Sequence, residues 1–412
     1  MIAPLIEKLG ILPFLALTPI IAWLLTVVYN LYIHPLRNIP GPKTWAISRL
    51  PFARSFTGGT IVYDIEAFHR KYGPANPDGT SEPFDIIPWF NFTAFDIFGD
   101  LGYGETFDCL QTSTYHPFIK LLFDSLKANC MVVAIRLFPT LEAVFKRWVF
   151  PYMMKKKQNK YATAVIDKVN RRMSWEVARP DIMSHVITGN EKGTMTPGEV
   201  QATFQTLTLA GSETTATSLS GIMNLLIKNP EAYAKLVEEL RRTLKKESDI
   251  TLDAIKQLPY LNAVANEALR LLPAAPFTLP RIVPKGGDWV CGTWVPGGTS
   301  VYILPWAVNR DPTLWHDATG FHPERWLPSA LEEKSPFFND RRDALHPFGE
   351  GPRKCIGMNI AWAEIRLILT RMLWAFDYEQ VGVPIEWEKQ KVYVLIERQP
   401  LFVRLRQRKV AE

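Results

Sequence analysis

The sequence predicts a mainly α fold with a small β-subdomain. Three observations lead there. Long stretches carry apolar residues at helical spacing between capping residues and prolines, above all 197–228 and 359–376. Short strand-like runs (Phe277 to Val283, Trp289 to Trp294, Ser300 to Leu304) are gathered in one region punctuated by Gly-Gly and Pro-Gly turns. An apolar content of 47% with 21% charged residues, over 412 residues, is that of a chain with a substantial core.

Charge and cysteine content exclude several classes. The net charge is +6, but Lys and Arg are spread along the chain rather than gathered on one face, so no nucleic-acid partner is expected. Cys109, Cys130, Cys291 and Cys355 are far apart and form no CxxC pair, which argues against a zinc site and a disulfide framework and suits a reducing compartment.

At the N-terminus, Leu9 to Ile33 contains no charged residue and is long enough to cross a bilayer as a tilted helix, kinked by Pro13 and Pro19. It is too long for a signal peptide and lacks a small-x-small cleavage site. Arg37, Lys43, Arg49 and Arg54 follow it, so the bulk of the chain is expected on the cytosolic side. Residues 1–33 are thus read as a membrane anchor, 34–50 as a stiff hinge rich in proline (Pro35, Pro40, Pro42), and 51–412 as the main globular domain. Thr60 to Tyr72 has helical spacing and stops at Gly73-Pro74, and 75–83 is polar and turn-rich. Ile86 to Leu101 returns to an aromatic helical pattern ending at Gly102. Its Asn91-Phe92-Thr93 is a glycosylation sequon expected to stay unmodified on the cytosolic side. Between Phe118 and Tyr161, short apolar helical runs are broken by Pro139 and Pro151, and by composition they read as core helices.

Thr196-Pro197-Gly198-Glu199 is a capping box with proline at the first helical position. The helix it opens runs to about Lys228, where Asn229-Pro230 ends it; at 1.5 Å per residue that is about 48 Å. In its middle lies Ala210-Gly211-Ser212-Glu213-Thr214-Thr215. Small residues there permit close approach of another group, and a glycine beside hydroxyl and acid side chains invites a local bulge. Such a Ser/Thr-rich face can also do no more than bond its own backbone. Further helices are expected from Pro230 to about Lys246 and from Leu258-Pro259 onward. The second contains Glu267 and Arg270, three apart on one face. The tail from Lys391 to Leu405 alternates like a final hairpin.

The stretch the rest serves is Phe348 to Gly357. Three glycines and a proline lead into the apolar helix 359–376, which places Cys355 just before a helix N-terminus. Free N–H groups and the helix dipole favour a thiolate there, and Arg353 and Lys354 add positive charge. A lone cysteine in a glycine-rich turn is more often buried and inert. Here the neighbouring fixed positions reverse that reading.

Phe348-x-x-Gly351-x-Arg353-x-Cys355-x-Gly357 resembles the haem-binding loop of the cytochrome P450 monooxygenases at every fixed position. Ala210-Gly211-x-Glu213-Thr214 resembles the same family's oxygen-activation motif, and Glu267-x-x-Arg270 with Pro323-Glu324-Arg325 its structural triad. The resemblance implies a haem-thiolate fold in which Cys355 ligates the iron of haem b. Phe348, Gly351 and Gly357 would shape its cradle, and Arg353 and Arg281 would hold its propionates. Ala210, Gly211, Glu213 and Thr214 would form the oxygen side, where Glu213 and Thr214 manage the protons that O–O cleavage needs. It also implies insertion of one oxygen atom from O2 into an apolar small molecule, terpenoid or polyketide-like, of fungal specialised metabolism. Electrons would come from an NADPH-dependent reductase, a separate protein because no dinucleotide fingerprint occurs here. The location implied is the endoplasmic reticulum membrane, single-pass and in contact with lipid, with the catalytic domain cytosolic.

The resemblance fails between Gly73 and Phe84. Similar sequences place there the first strands of the sheet, a gating loop and a helix that lines the haem. A long internal piece is therefore expected to be missing near 74–83, with part of the N-terminal sheet and one haem-lining helix, although an ordinary short loop would read the same from these residues alone. Two rival functions remain: a haem-thiolate isomerase or dehydratase, which the intact Glu213-Thr214 pair argues against, and a deletion product that does not hold haem.

Overall fold

The computed structural model describes Val28, Tyr29 and residues 80–408, except 117–118, 120–134, 136–138, 150–159, 176–180, 192, 278–279 and 394. The chain divides into two compact units, Met1–Glu82 and Pro83–Glu412, and every candidate site residue lies in the second. The expected anchor and hinge (apart from Val28 and Tyr29), the helix over 60–72 and most of the turn-rich stretch after it lie outside the described residues. Among the described residues no helix is long and apolar enough to cross a membrane.

A short strand, β1 (Phe84–Asp85), leads into α1 (Ile87–Phe98). Pro88 sits in its first turn, and Asp85 Oδ1 accepts from the N–H of Ile87 at 3.1 Å. The helix does not end at Gly102 as its apolar pattern suggests. It widens into a π-helical turn (Gly99–Tyr103) and stops at Gly104, whose φ of 74° is readily adopted only by glycine. After α2 (Cys109–Thr112) and α3 (Pro139–Val144) come α4 (Lys160–Met173) and α5 (Ile182–Glu191), then the longest helix, α6 (Pro197–Lys228). Next are α7 (Pro230–Thr243), α8 (Leu252–Lys256) and α9 (Pro259–Leu271). The strand region holds β2 (Arg281–Ile282), β3 (Asp288–Val290), β4 (Thr293–Val295) and β5 (Ser300–Val301), followed by α10 (Pro305–Val308). The chain closes with α11 (Met358–Ala375), β6 (Phe376–Gln380), the hairpin β7 (Lys391–Tyr393) and β8 (Leu395–Glu397), and β9 (Phe402–Gln407).

The helix limits follow the sequence punctuation closely. The strands differ more. The expected strand Trp289 to Trp294 is two, β3 and β4, which fold back at Cys291-Gly292 and pair Trp289 with Trp294. Among the described residues of Phe277 to Val283, Arg281 and Ile282 form the strand, paired with Val301 and Ser300, and Val283 continues its hydrogen bonding to Thr299; Pro280 just before them has no N–H to contribute. The tail forms its hairpin over β7 and β8, but its last strand leaves to lie between β1 and β6.

Two clusters of buried side chains form the core. One gathers Ala216, Leu219, Ile222, Met223 and Leu226 of α6 with Leu236 and Leu240 of α7, Leu261 and Val264 of α9, and Ile365, Leu369 and Leu373 of α11. The other gathers Phe92, Phe95 and Phe98 of α1 with Val165 and Val169 of α4, Met183 of α5, and Val200 and Phe204 of α6. Helix α6 thus serves one cluster with its first turns and the other with its last. The Ala210–Thr214 motif lies between; Gly211 packs under Phe98 and Ser212 and Glu213 are buried, while Ala210 is left exposed.

Candidate active site

The cysteine loop is a chain of tight turns. The N–H of Gly349 donates to His346 O at 3.0 Å, that of Lys354 to Gly351 O at 3.0 Å, and that of Cys355 back to Phe348 O at 2.8 Å. Gly349 and Gly351 have φ of 68° and 71°, which disfavours any side chain there. A Cβ at either would meet nothing within 4 Å, so open space lies beside both. Cys355 is exposed and stands just ahead of α11, whose N-cap Gly357 offers no side chain to the first-turn N–H groups. A Cβ on Gly357 would stand 3.9 Å from Cys355 Sγ, in ordinary contact with the sulfur. Phe348 is half-buried with its ring 5.8 Å from that of Trp362 in α11, which ties the loop to the helix. Arg353 and Ile356 point outward, Ile356 being 90% exposed. Arg281, at the start of β2, is also exposed.

The segments that precede the loop are tied together by buried ions. Glu267, Arg270 and Arg325 have side chains 0% exposed. Glu267 takes two bonds from Arg270 at 2.9 and 2.8 Å, one from Arg325 at 3.3 Å, one from Trp326 Nε1 at 2.8 Å and one from the N–H of His322 at 3.0 Å. Arg270 also donates to the carbonyls of Asn309, Ala318 and Gly320. Arg325 pairs with Asp340 and donates to His316 O at 2.8 Å. The triad expected from the sequence is therefore present, and Asp340 is a fourth member the sequence did not announce. With a partner on every side-chain nitrogen and oxygen, the group fixes the loops leading to Cys355 and is not poised to react.

The capping box at the start of α6 forms as expected: the N–H of Glu199 donates to Thr196 Oγ1 at 3.3 Å, and the N–H of Thr196 to Glu199 Oε2 at 2.8 Å. The expected bulge is absent. Helix α6 is a regular α-helix throughout, because its hydroxyls bond carbonyls one turn back without opening the ladder: Thr214 to Ala210 at 2.7 Å, Ser218 to Thr214 at 3.0 Å. Ala210 and Thr214 share one face, the first exposed and the second half-buried. A Cβ on Gly211 would come within 2.8 Å of the Phe98 ring, so this glycine lets α1 approach α6.

Glu213 lies on another face and is 3% exposed. The expected alcohol–acid pair is therefore not in mutual contact: Thr214 bonds the backbone, and Glu213 forms a buried ion pair with Arg398. Arg398 also donates to Asn91 Oδ1 at 2.9 Å, and Asn91 Nδ2 donates to Tyr115 Oη at 2.7 Å. Asn91 is thus a buried structural residue, in keeping with a sequon that stays unmodified. Burial pushes the Glu213 carboxyl above the ordinary carboxylate range, and Arg398 opposes this only in part. On α11, burial likewise raises Glu364 to about 7 against a hydrogen bond from Thr215 of α6. Arg398, Asn91 and Glu364 have no local signature in the sequence; their partners lie in distant segments.

The residues present fit haem. A soft sulfur donor stands open at a helix start, in a cradle whose two positive-φ glycines border free space, and exposed arginines on the loop and on β2 can meet carboxylates. Comparison with known proteins agrees. The family model of cytochrome P450 matches residues 65–404. A cytochrome P450 monooxygenase of Stereocaulon alpinum, atr2, is 32% identical over 471 aligned positions, covering 92% of each chain. The averantin hydroxylase of Dothistroma septosporum is 34% identical over 482 positions, covering 94% of this chain and 90% of its own. The monooxygenase astA of Talaromyces wortmannii is 40% identical over 328 positions, 79% of this chain and 65% of its own. In fold, the haem domain of cytochrome P450DA superposes with a TM-score of 0.65 at 20% identity, over 80% of this chain and 69% of that one. The open thiol loop, the buried ion cluster in the segments that precede it and these matches together place the chain in the cytochrome P450 family, whose cofactor is haem held by a cysteine thiolate.

Proposed function

We propose that this chain is a haem-dependent monooxygenase of fungal secondary metabolism that inserts one oxygen atom from O2 into an apolar terpenoid or polyketide-like molecule. The observation that carries this reading is the Cys355 loop: an open thiol at the start of α11, cradled by glycines and flanked by Arg353. Haem bound there supplies dioxygen binding and O–O cleavage, helped by electron donation from the sulfur. The chain's residues do the rest. Cys355 is the iron ligand, with Phe348, Gly351 and Gly357 shaping its surroundings. Arg353 and Arg281 meet the propionates. Ala210 keeps the exposed face of α6 flat and Gly211 keeps α1 close to it. Thr214 and Glu213 hold and pass protons. Electrons come from a separate NADPH-dependent reductase. The apolar stretch over 9–33 anchors the chain in the endoplasmic reticulum membrane with its catalytic domain in the cytosol.

An internal deletion near 74–83 belongs to the same reading. Its support is an excess of aligned positions: 471 with the Stereocaulon alpinum protein, more than the 412 residues of the whole chain, of which 92% is matched. The relative carries residues that this chain lacks. Exposed apolar side chains on and after the β2–β5 pair (Ile282, Tyr302, Ile303) fit the loss of a covering segment.

Turnover in isotopically labelled O2, with the purified chain, a fungal NADPH-dependent reductase and a panel of aromatic polyketides and terpenoids, tests the reaction. One labelled oxygen atom per product is the expected result. A dehydrated or rearranged product without label would replace the monooxygenase reading with isomerase or dehydratase chemistry.

A further inference from the structure

Glu213 and Arg398 form an incomplete pair. Arg398 Nη2 meets Glu213 Oε1 and also Asn91 Oδ1. Glu213 Oε2 and Arg398 Nη1 are both fully buried, and neither has a partner among the described residues. Guanidinium and carboxylate commonly meet in a two-pronged fork that uses both oxygens. Here Asn91 holds the guanidinium so that only one oxygen is engaged. The backbone that carries Arg398 is itself fixed: the N–H of Gln399 donates to Gln390 Oε1 at 2.6 Å, and that of Leu401 to Asp85 Oδ1 at 2.9 Å.

We propose that Arg398 is a positioning residue for proton handling on α6: by pinning Oε1 of Glu213 it leaves Oε2 as the atom that holds and releases the proton. The proposal rests on the reading of Glu213 as a proton-handling group and names what sets its behaviour. Because Oε1 accepts an N–H, a proton on Glu213 sits on Oε2. Its release leaves a carboxylate whose charge Arg398 balances, and uptake of a proton from water restores the acid. Burial and Arg398 act in opposite directions on this equilibrium, so removing Arg398 leaves burial unopposed and the acid keeps its proton to higher pH. The other titratable groups near this part of the molecule are Tyr115, which burial keeps protonated and which senses Arg398, Glu213 and Asp85, and Glu364 of α11 beside Thr215.

The test follows the carboxylic-acid C=O stretch of Glu213 in the purified, haem-loaded full chain. The band is identified by its absence in Glu213→Gln and titrated by infrared difference spectroscopy. The expected midpoint rises from wild type through Arg398→Lys to Arg398→Gln. Turnover in Arg398→Gln falls roughly tenfold, less than the loss expected for a proton-transfer group itself, and recovers in part in Arg398→Lys. If Glu213→Gln turns over with the wild-type rate and pH profile, the proton-handling reading of Glu213 is wrong. If Glu213→Gln is impaired but the midpoint in Arg398→Gln equals that of wild type, that reading stands and the role of Arg398 is overturned. Should Arg398→Gln not fold, a wild-type midpoint in Arg398→Lys overturns the proposal, and a raised one supports it.

Discussion

Two buried ion groups in this molecule look alike in composition and differ in completeness. In the segments that precede the cysteine loop, Glu267, Arg270, Arg325 and Asp340 leave no side-chain nitrogen or oxygen without a partner. On α6 and in the tail, Glu213 and Arg398 leave one acid oxygen and one guanidinium nitrogen without a partner among the described residues. On the proposed reading of Glu213, the difference separates scaffold from chemistry. A saturated cluster has a single arrangement, so it fixes geometry. An unsaturated one retains a choice between protonation states, which is what a proton-handling site requires.

Breaking the saturated cluster has the largest effect. Glu267→Ala leaves two arginines buried without their shared carboxylate and lowers stability by about 3–5 kcal/mol, measured by chemical denaturation. Glu213→Gln leaves only Arg398 without its carboxylate and keeps an amide oxygen that can still accept from it, so it costs less, about 1–3 kcal/mol in the same assay. Equal losses at the two sites would erase the distinction.

Glu364 sharpens the comparison through pH. Its carboxyl titrates near 7 in the folded chain against an ordinary 4.5, so between those values the folded state binds more protons than the unfolded state. Stability from this group is present below pH 4.5 and is lost as pH rises to about 7, by at most roughly 3 kcal/mol. Glu364→Gln should remove that slope, matching wild type near pH 4.5 and exceeding it at pH 8 in thermal melts. A parallel slope in the variant would show that Glu364 does not titrate in this window. The smallest effect belongs to the start of α6, where Thr196→Ala costs about 1 kcal/mol through the lost capping box, with no change in the Glu213 titration.

What the sequence reveals depends on the range of the contacts. The capping box, the limits of α6 and α11, the start of α9, the Cys355 loop and the Glu267–Arg270 pair rest on residues a few positions apart, and all are legible. The partners of these local units are legible only where a motif names them, as Pro323-Glu324-Arg325 names Arg325. Arg398 reaches Glu213 across 185 positions and Asn91 across 307, with nothing in the tail to mark it. The β3–β4 turn was concealed because Cys291 takes a φ of 48°, a conformation few side chains adopt, although Gly292 beside it marks a turn. The bulge expected in α6 did not form because Thr214 and Ser218 bond their own helix, an outcome the same residues also allowed.

The central claim is that Cys355 places a thiolate on haem iron in this chain. The reduced, CO-bound absorption spectrum of the purified protein, taken beside that of Cys355→Ala, tests it most directly. A thiolate-type band in the wild type that is absent in the variant is the predicted result; failure to hold haem, or a histidine-type band in both, would contradict it.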